Sequence, residues 1–374
     1  MTSWITRDVA LERLKVKPQT LYAYVSRGQI RMVPDATDAR RSRYSAEDVD
    51  GVAARKARGK KPAAIAAGSM AWGEPSIATG ISTAHHGKLY YRGVDAVALA
   101  RHATLEESAS LLWNVQGAPS FSEGASGCAD PFRALAAMVP DSPPILGRSS
   151  ASLAREAAAI VGNLAQVCDA APGDAPLHER LAQGWGCAVG AGDRLRQAMV
   201  LMADHDLNAS TFAARVAAST GASLPACILA GLCTLSGPRH GGAAAALATM
   251  VADADRLGAS HAITLWLSRD RALPGFGHNL YPEGDPRARS LVQGLSAPPA
   301  LKLLADAVLD QTGALPNADF AMAVMVEALG LPPAAPFRLF LLGRTIGWCA
   351  HVTEQNSLGG LIRPRGRYTG IIAA

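Results

Sequence analysis

The chain has 374 residues, nearly half of them hydrophobic and only 5% aromatic, a length and balance that suit two or three domains with a large, alanine-rich core of close-packed helices. Its formal charge of +5 is uneven: residues 1–61 hold 14 Lys and Arg against 7 Asp and Glu, or +7, which leaves 22 against 24, or −2, for the remainder, so only the N-terminal part suits a polyanionic partner. Six cysteines at positions 128, 168, 187, 227, 233 and 349 form no CxxC pair and lie in apolar helical surroundings, so no disulfide framework or zinc site is implied. Charges at Arg7, Asp8, Glu12 and Arg13 exclude the apolar core of a signal peptide, and the longest apolar runs, such as 226–236, are too short to cross a bilayer. A soluble, cytoplasmic protein is expected.

In chain order, Trp4-Ile-Thr6 leads into an amphipathic helix from Arg7 to Leu14, with Thr6 placed to cap it. Pro18 suits the first position of a second helix through Arg27, and Gly28 is a natural stop. Ile30 to Val33 and Arg40 to Tyr44 can pair as a small wing around the Pro34-Asp35 turn, and Ser45-Ala-Glu-Asp48 starts a third helix. This pattern resembles the winged helix-turn-helix at the head of MerR-type regulators, so residues 1–58 are expected to form such a domain. The resemblance implies that Gln19, Thr20, Tyr22, Ser26 and Arg27 face the major groove while Arg40, Arg41 and Arg43 meet phosphates. The alternative is a helical cap with a solvated basic face.

Residues 59–75, rich in Ala, Gly and Lys, read as a linker. Ser76 to Tyr91 suggests a short hairpin ending at Arg92-Gly93, and Leu105-Glu-Glu107 opens a helix through Leu112. From Asp130 onward the periodic segments have the helical repeat: 131–139, 151–170, 176–184, 190–205, 208–220, 222–235, 241–257, 260–268, 287–294, 299–312, 318–329 and 336–355. The fold class is therefore mainly α.

Five polar stretches interrupt this apolar helical sequence. They are Asp204-His205-Asp-Leu-Asn208 running to Arg215, Gly237-Pro-Arg-His240-Gly-Gly, Pro274-Gly275-Phe276-Gly277-His278-Asn-Leu-Tyr281 running to Asp285-Pro-Arg287, Pro316-Asn-Ala-Asp319, and Arg344 through Trp348, His351 and Glu354 to Arg363. Read singly, Asp319 is a helix cap, His240 a structural histidine at a glycine turn, and Arg344 and Arg363 surface or interface charges. In this order, over residues 76–374, the five stretches resemble the citrate synthase family. Gly80-Ile-Ser and Lys88-Leu-Tyr-Tyr-Arg-Gly93 match that family's opening strands.

The resemblance implies a two-domain, all-helical body, with residues 76–241 and 329–374 in the large domain and 242–328 in the small one. It further implies condensation of acetyl-CoA with oxaloacetate by a homodimer, with no metal and no tightly bound cofactor. Asp319 becomes the proton-abstracting base, His240 the neutral donor to the enol oxygen, and His278 the histidine on the keto oxygen. Arg287, Arg344 and Arg363 become the forks for two carboxylates, Arg363 reaching the partner subunit's site, and His205 a further oxaloacetate ligand. Gly275, Phe276 and Gly277 become the backbone that meets the adenine of CoA. Trp348 and His351 are expected to pack behind the site.

Some positions depart from the family's pattern. Asn279, Pro282 and Glu283 stand where relatives carry cations for the CoA phosphates, and Arg239 and Ala244 flank His240 where Leu and Asn are usual. Three readings follow: a citrate synthase, a 2-methylcitrate synthase using propionyl-CoA, or a metabolite-sensing regulator whose synthase-like body dimerises while the head binds DNA.

Overall fold

The computed structural model describes residues 3–26, 29–35, 42–58, 76–122, 130–238, 240–268, 273–364 and 368–370. Two units emerge, Met1–Ala78 with Pro364–Ala374, and Thr79–Arg363.

In the first unit, β1 (Trp4–Thr6) runs directly into α1 (Arg7–Leu14), and the Thr6 hydroxyl accepts the Val9 amide at 3.5 Å. Lys15 ends α1 in the left-handed region, and α2 (Pro18–Ser26) begins on its proline. Then β2 (Met32–Pro34), β3 (Ser42–Ser45) and α3 (Ala46–Arg58) follow. The sheet order is β1-β3-β2, antiparallel, with Ile5 opposite Tyr44 and Val33 opposite Arg43. Strand β1 is an element that sequence periodicity missed. Three residues are too few to show alternation, and pairing along β3 creates the strand. Ala10, Leu14, Leu21, Ile30, Tyr44, Val49 and Val52 form the small core.

The expected groove-facing and phosphate-facing residues are only partly placed. Thr20 is exposed on α2, whereas Arg27, Arg40, Arg41 and the side chains of Gln19, Tyr22 and Ser26 lie outside the described residues. Arg43 donates from Nε to Asp35 at 2.6 Å, and Arg31 and Arg13 are paired with Asp48 and Asp50. The 59–75 linker is also outside the described residues.

The second unit opens with a meander, β4 (Ser82–His85), β5 (Lys88–Tyr91) and β6 (Val94–Asp95), followed by α4 (Ala96–Leu99), capped by Asp95. A capping box between Thr104 and Glu107 starts α5 (Leu105–Trp113). Next come α6 (Pro131–Met138), α7 (Ser150–Val167), α8 (Leu177–Gly184), α9 (Ala191–Met202), α10 (Ala209–Ser219) and α11 (Leu224–Leu235). The chain ends with α12 (Ala243–Leu257), α13 (Ala259–Ser268), α14 (Pro286–Val292), α15 (Pro299–Thr312), α16 (Ala318–Leu329) and α17 (Ala335–Leu358). Helix α9 stops at Met202, short of the expected 205. Asp204 there turns inward, Asp206 adopts a left-handed φ of 56°, and Asn208 caps α10 instead of continuing α9.

Two apolar cores divide this unit. The larger runs from Ile81 and Leu89 through α5–α11 and includes Ala288 and Leu291 of α14 and most of α17. The smaller joins Leu247 and Met250 of α12, Ile263 and Trp266 of α13, Leu273, Phe276, and Leu301, Leu304 and Val308 of α15. Helix α16 serves both, giving Ala318, Ala321, Met322 and Met325 to the larger and Phe320 and Val324 to the smaller. Helix α14, inside the expected 242–328 segment, gives Ala288 and Leu291 to the larger core, while its Val292 packs against both cores.

Helix α17 is buried on all sides over 339–352, as a helix threading a core must be. Two glycines let it pass close to the end of α9. A Cβ on Gly343 would stand 2.6 Å from the Met199 carbonyl, and one on Gly347 2.3 Å from that of Ala203. Among the described residues no helix is long and apolar enough to cross a membrane.

Candidate active site

The loop after Leu273 is held open-backed by two glycines, Gly275 and Gly277, with φ of 82° and 71°. Between them Phe276 is buried, tilted against Phe320 at 5.2 Å, and paired with Pro316 in an isolated antiparallel bridge. Asn317 donates its amide to the Gly275 carbonyl at 2.9 Å and its side-chain nitrogen to the Gly277 carbonyl at 3.2 Å, while Gly277 donates to Leu315 at 2.8 Å. The loop is thus stitched to the start of α16. Asn317 also caps that helix, its Oδ1 accepting the Asp319 amide at 3.0 Å.

Because Asn317 is the cap, the Asp319 carboxylate is spared that duty and accepts no hydrogen bond among the described residues. It keeps some accessible surface yet is densely surrounded, and burial pushes its pKa up to about 6, against Arg287 and Arg344 and with help from Asp285.

His278 follows the glycines. Its Nδ1 accepts the Leu280 amide at 3.2 Å, so the neutral ring carries its hydrogen on Nε2. Burial, then Arg287, lowers its pKa to about 4, with Asp285 opposing. His205, in the loop between α9 and α10, meets His278 edge to face at 4.9 Å, and its Nε2 lies 3.0 Å from the Tyr281 hydroxyl. Burial, then Arg287, Arg344 and His278, hold His205 well below the ordinary imidazole range.

Arg287 is buried and donates from Nε and Nη2 to the two oxygens of Asp285, at 3.0 and 2.7 Å. Asp285 also caps α14 and accepts the Ala318 amide at 3.1 Å, which ties this cation to the helix that carries Asp319. Arg344, from the middle of α17, is 1% exposed. Its Nε donates to the Met202 carbonyl at 3.0 Å and its guanidinium lies 4.7 Å over the Phe340 ring, with no carboxylate in ion-pair contact among the described residues. Burial lowers its pKa to about 10, so it stays cationic at neutral pH.

His240 occupies the turn before α12, edge-on to Phe340 at 5.9 Å, with Nε2 2.8 Å from the Ser210 hydroxyl. That hydroxyl also lies 2.7 Å from Asn208 Oδ1, which already accepts the Ser210 and Thr211 amides, and it receives the Trp348 indole at 3.3 Å, so its hydrogen is available to His240 Nε2 and the neutral imidazole carries its own on Nδ1. Burial, then the Arg344 charge, lowers the His240 pKa to about 4. The Arg344 charge thus lowers the pKa of His240, His205 and Asp319 alike.

Behind Arg344 runs a buried polar line. Arg215 Nη1 faces His351 Nδ1 at 3.1 Å, so His351 donates from Nε2 to Asp204 at 3.0 Å, and Ser82 donates to the same Asp204 oxygen. Arg215 is closed by Glu354 at 2.6 Å and by Gln355. Burial would raise the Asp204 pKa, but His351, Arg344 and Ser82 outweigh it and hold it low, while Asp204 Oδ1 has no hydrogen-bond partner among the described residues.

The structure thus brings together His205, His240, His278, Arg287, Asp319 and Arg344, with Gly275–Gly277 beside them. Arg363 is exposed beyond α17 and does not join them. Sequence reasoning missed Tyr281, Asp285, Ser210 and Phe340. The Asp-Pro step before Arg287 was a readable cap signal, but nothing local marks the other three. Among the described residues no group of three or more His, Cys, Asp or Glu could hold a metal ion.

Residues 145–365, more than half of the chain, match the family model described as citrate synthase, C-terminal domain. The chain is 38% identical over 189 residues to a citrate synthase of Haloferax volcanii, covering 46% of this chain and 49% of that protein. It is 34% identical over 185 residues to a 2-methylcitrate synthase of Mycobacterium tuberculosis, covering 46% of this chain and 47% of that protein. The chain thus spans about half the length of the curated relatives it matches. The crystal structure of citrate synthase from Thermotoga maritima superposes with a TM-score of 0.69 at 25% identity over 82% of this chain and 97% of that one. A Thermoplasma acidophilum citrate synthase in ternary complex with carboxymethyl coenzyme A and oxaloacetate shares the fold, with a TM-score of 0.66 at 23% identity over 80% of this chain and 95% of that one.

Proposed function

Because the chain belongs to the citrate synthase family, we propose that it is an acyltransferase that condenses acetyl-CoA with oxaloacetate and releases citrate and CoA. The observation that carries this reading is the set of groups around Arg344: a carboxylate with a pKa near 6, imidazoles kept neutral, and two buried guanidiniums.

Each group has a task that its surroundings suit. Ionised Asp319 accepts a proton from the methyl carbon of the thioester, and a carboxylate poised near the working pH does this better than an ordinary one. Neutral His240 donates to the thioester oxygen as negative charge develops there. The resulting methylene carbon forms a bond to the keto carbon of oxaloacetate. His278, with its hydrogen on Nε2, donates to the keto oxygen and hands over that proton as the alcohol forms. Water then cleaves the citryl thioester, giving the new carboxylate and the free thiol.

Arg344 supplies most of the charge for the dicarboxylate, because Asp285 already balances Arg287. His205 is a further ligand, and the backbone of Gly275, Phe276 and Gly277 receives the adenine of CoA. Arg363 is assigned to the site of a second copy in a homodimer, consistent with its exposure. Closure of a small domain around residues 242–328 over the rest completes the proposal. No resident cofactor enters it, and the five unpaired thiols among the described residues suit a reducing cytoplasm.

Thiol release from acetyl-CoA, with and without oxaloacetate, for wild type and Asp319→Ala, tests this directly. Oxaloacetate-dependent thiol in wild type alone supports it. Preference for propionyl-CoA in the same assay converts the reading to a 2-methylcitrate synthase, a difference of one methylene. No oxaloacetate-dependent thiol with either thioester overturns it.

A second reading is favoured by the first unit. The order α1, α2, a β2–β3 hairpin and α3 is that of a winged helix-turn-helix, which supports DNA binding through residues 1–58. With Arg43 engaged by Asp35, the phosphate contacts fall more heavily on Arg40 and Arg41. A gel shift with a duplex from upstream of the chain's own gene, weakening steeply with salt, supports this role, and a salt-insensitive or absent shift removes it.

A further inference from the structure

Tyr281 touches three of the side chains that gather around the oxo-acid subsite. Its hydroxyl is 3.0 Å from His205 Nε2, its ring centre is 4.9 Å from that of His278, and the Arg287 guanidinium lies 5.7 Å over it. It is 2% exposed, and backbone bonds from Tyr281 to His278 and from Gly284 to Tyr281 fix the turn that presents it. Its bond to His205 joins two segments 76 residues apart, one following α9 of the larger core and one leading out of the smaller.

The direction of that bond follows from the two partners. Burial keeps the phenol protonated, raising its pKa to about 12. His205 is neutral, and among the described residues its Nε2 is the one acceptor within hydrogen-bond reach of the Tyr281 hydroxyl. The ring hydrogen therefore sits on Nδ1, and the phenol donates to Nε2.

We infer that Tyr281 is a positioning residue of the oxo-acid subsite, its hydroxyl holding His205 in a single tautomer and orientation while its ring spaces His278 from Arg287. The inference rests on the oxaloacetate reading above for its kinetic consequence, but the tautomer it assigns to His205 does not. Phenylalanine at this position keeps the ring contacts and loses only the hydroxyl, leaving Nε2 of a buried imidazole without its donor. Leucine loses the ring as well.

Two measurements test this. In steady-state kinetics Tyr281→Phe raises KM for oxaloacetate about tenfold, the scale of one lost hydrogen bond, and moves kcat and KM for acetyl-CoA by less than about twofold. Tyr281→Leu lowers kcat as well, because His278 loses its neighbour. In nitrogen-15 spectra of the imidazoles, with His205 assigned through His205→Asn, wild type shows hydrogen on Nδ1 and an acceptor shift at Nε2, and Tyr281→Phe shows a mixture of tautomers. Hydrogen on Nε2 in wild type overturns the assignment whether or not the variants fold, and an unchanged KM for oxaloacetate in a folded Tyr281→Phe overturns the positioning role. Wild type without oxaloacetate-dependent turnover sinks the synthase reading, while the nitrogen-15 result still decides the tautomer.

Discussion

The Asp285 carboxylate holds Arg287 with both oxygens, at 3.0 and 2.7 Å, and one of those oxygens also accepts the Ala318 amide at 3.1 Å. One buried anion thus fixes both a substrate-side cation and the first turn of the helix that bears the base. Replacing it by asparagine leaves Arg287 buried and unbalanced, and we expect a loss of about 3–5 kcal/mol in chemical denaturation. Asp285 also pushes the Asp319 pKa upward, so the acid limb of the pH–rate profile of Asp285→Asn shifts to lower pH.

Asp319 is expected to cost the fold what it gives to the chemistry. Its folded pKa, about 6, lies above the ordinary 3.8, so the folded state binds its proton more tightly and stability falls as pH rises from about 4 to about 6. At neutral pH the strain of the ionised form is on the order of 1–3 kcal/mol, the upper figure assuming no relief from its partial exposure. Asp319→Asn should therefore melt higher than wild type at pH 7 while turnover falls by about 10²–10⁴-fold, the usual worth of a general base. In wild type, kcat/KM should decline as pH drops below about 6.

The histidines act in the opposite sense. His278 and His240 have folded pKa values of about 4, below the ordinary 6.5, so the unfolded chain takes up their protons first and stability is lost as pH falls from about 6.5 toward 4. Each contributes at most about 3 kcal/mol over that window, partly offset by Asp319. Melting temperature followed from pH 7 to 4 should fall more gently for His278→Asn than for wild type.

Arg344 presents a buried charge without a carboxylate in contact among the described residues. Arg344→Met, of similar length, should fold with unchanged or higher stability and lose about 2–5 kcal/mol of oxaloacetate affinity by calorimetry. Arg344→Lys should recover little of it, because an ammonium lacks the planar fork.

Helices α15 and α16 occupy the residues that periodicity assigns, 299–312 and 318–329, and most other helices end within two or three residues of expectation. Those are long segments whose apolar face alone selects a helix. Where tertiary contacts decide, local pattern misleads. Helix α9 ends early because Asp204 is drawn inward by His351, 147 residues away, and β1 exists only because β3 is beside it. His205, His240, His278, Arg287, Asp319 and Arg344 were legible as motifs, since glycines, prolines and charges stand out against apolar helix, whereas Tyr281 and Asp285 were not singled out. What could not be read is who touches whom: that Asn317 rather than Asp319 is the cap, that Ser210 meets His240, and that Tyr281 meets His205. Those relations depend on how segments far apart in the chain are brought together.

Helix α16 gives one side to each apolar core, with Ala321 and Met325 on one and Phe320 and Val324 on the other. It is a party wall. A wall shared by two rooms cannot be undermined from one without cracking the other, so the two cores of residues 79–363 should melt in a single calorimetric transition, and damage to either should reach the carboxylate of Asp319 long before the chain comes apart.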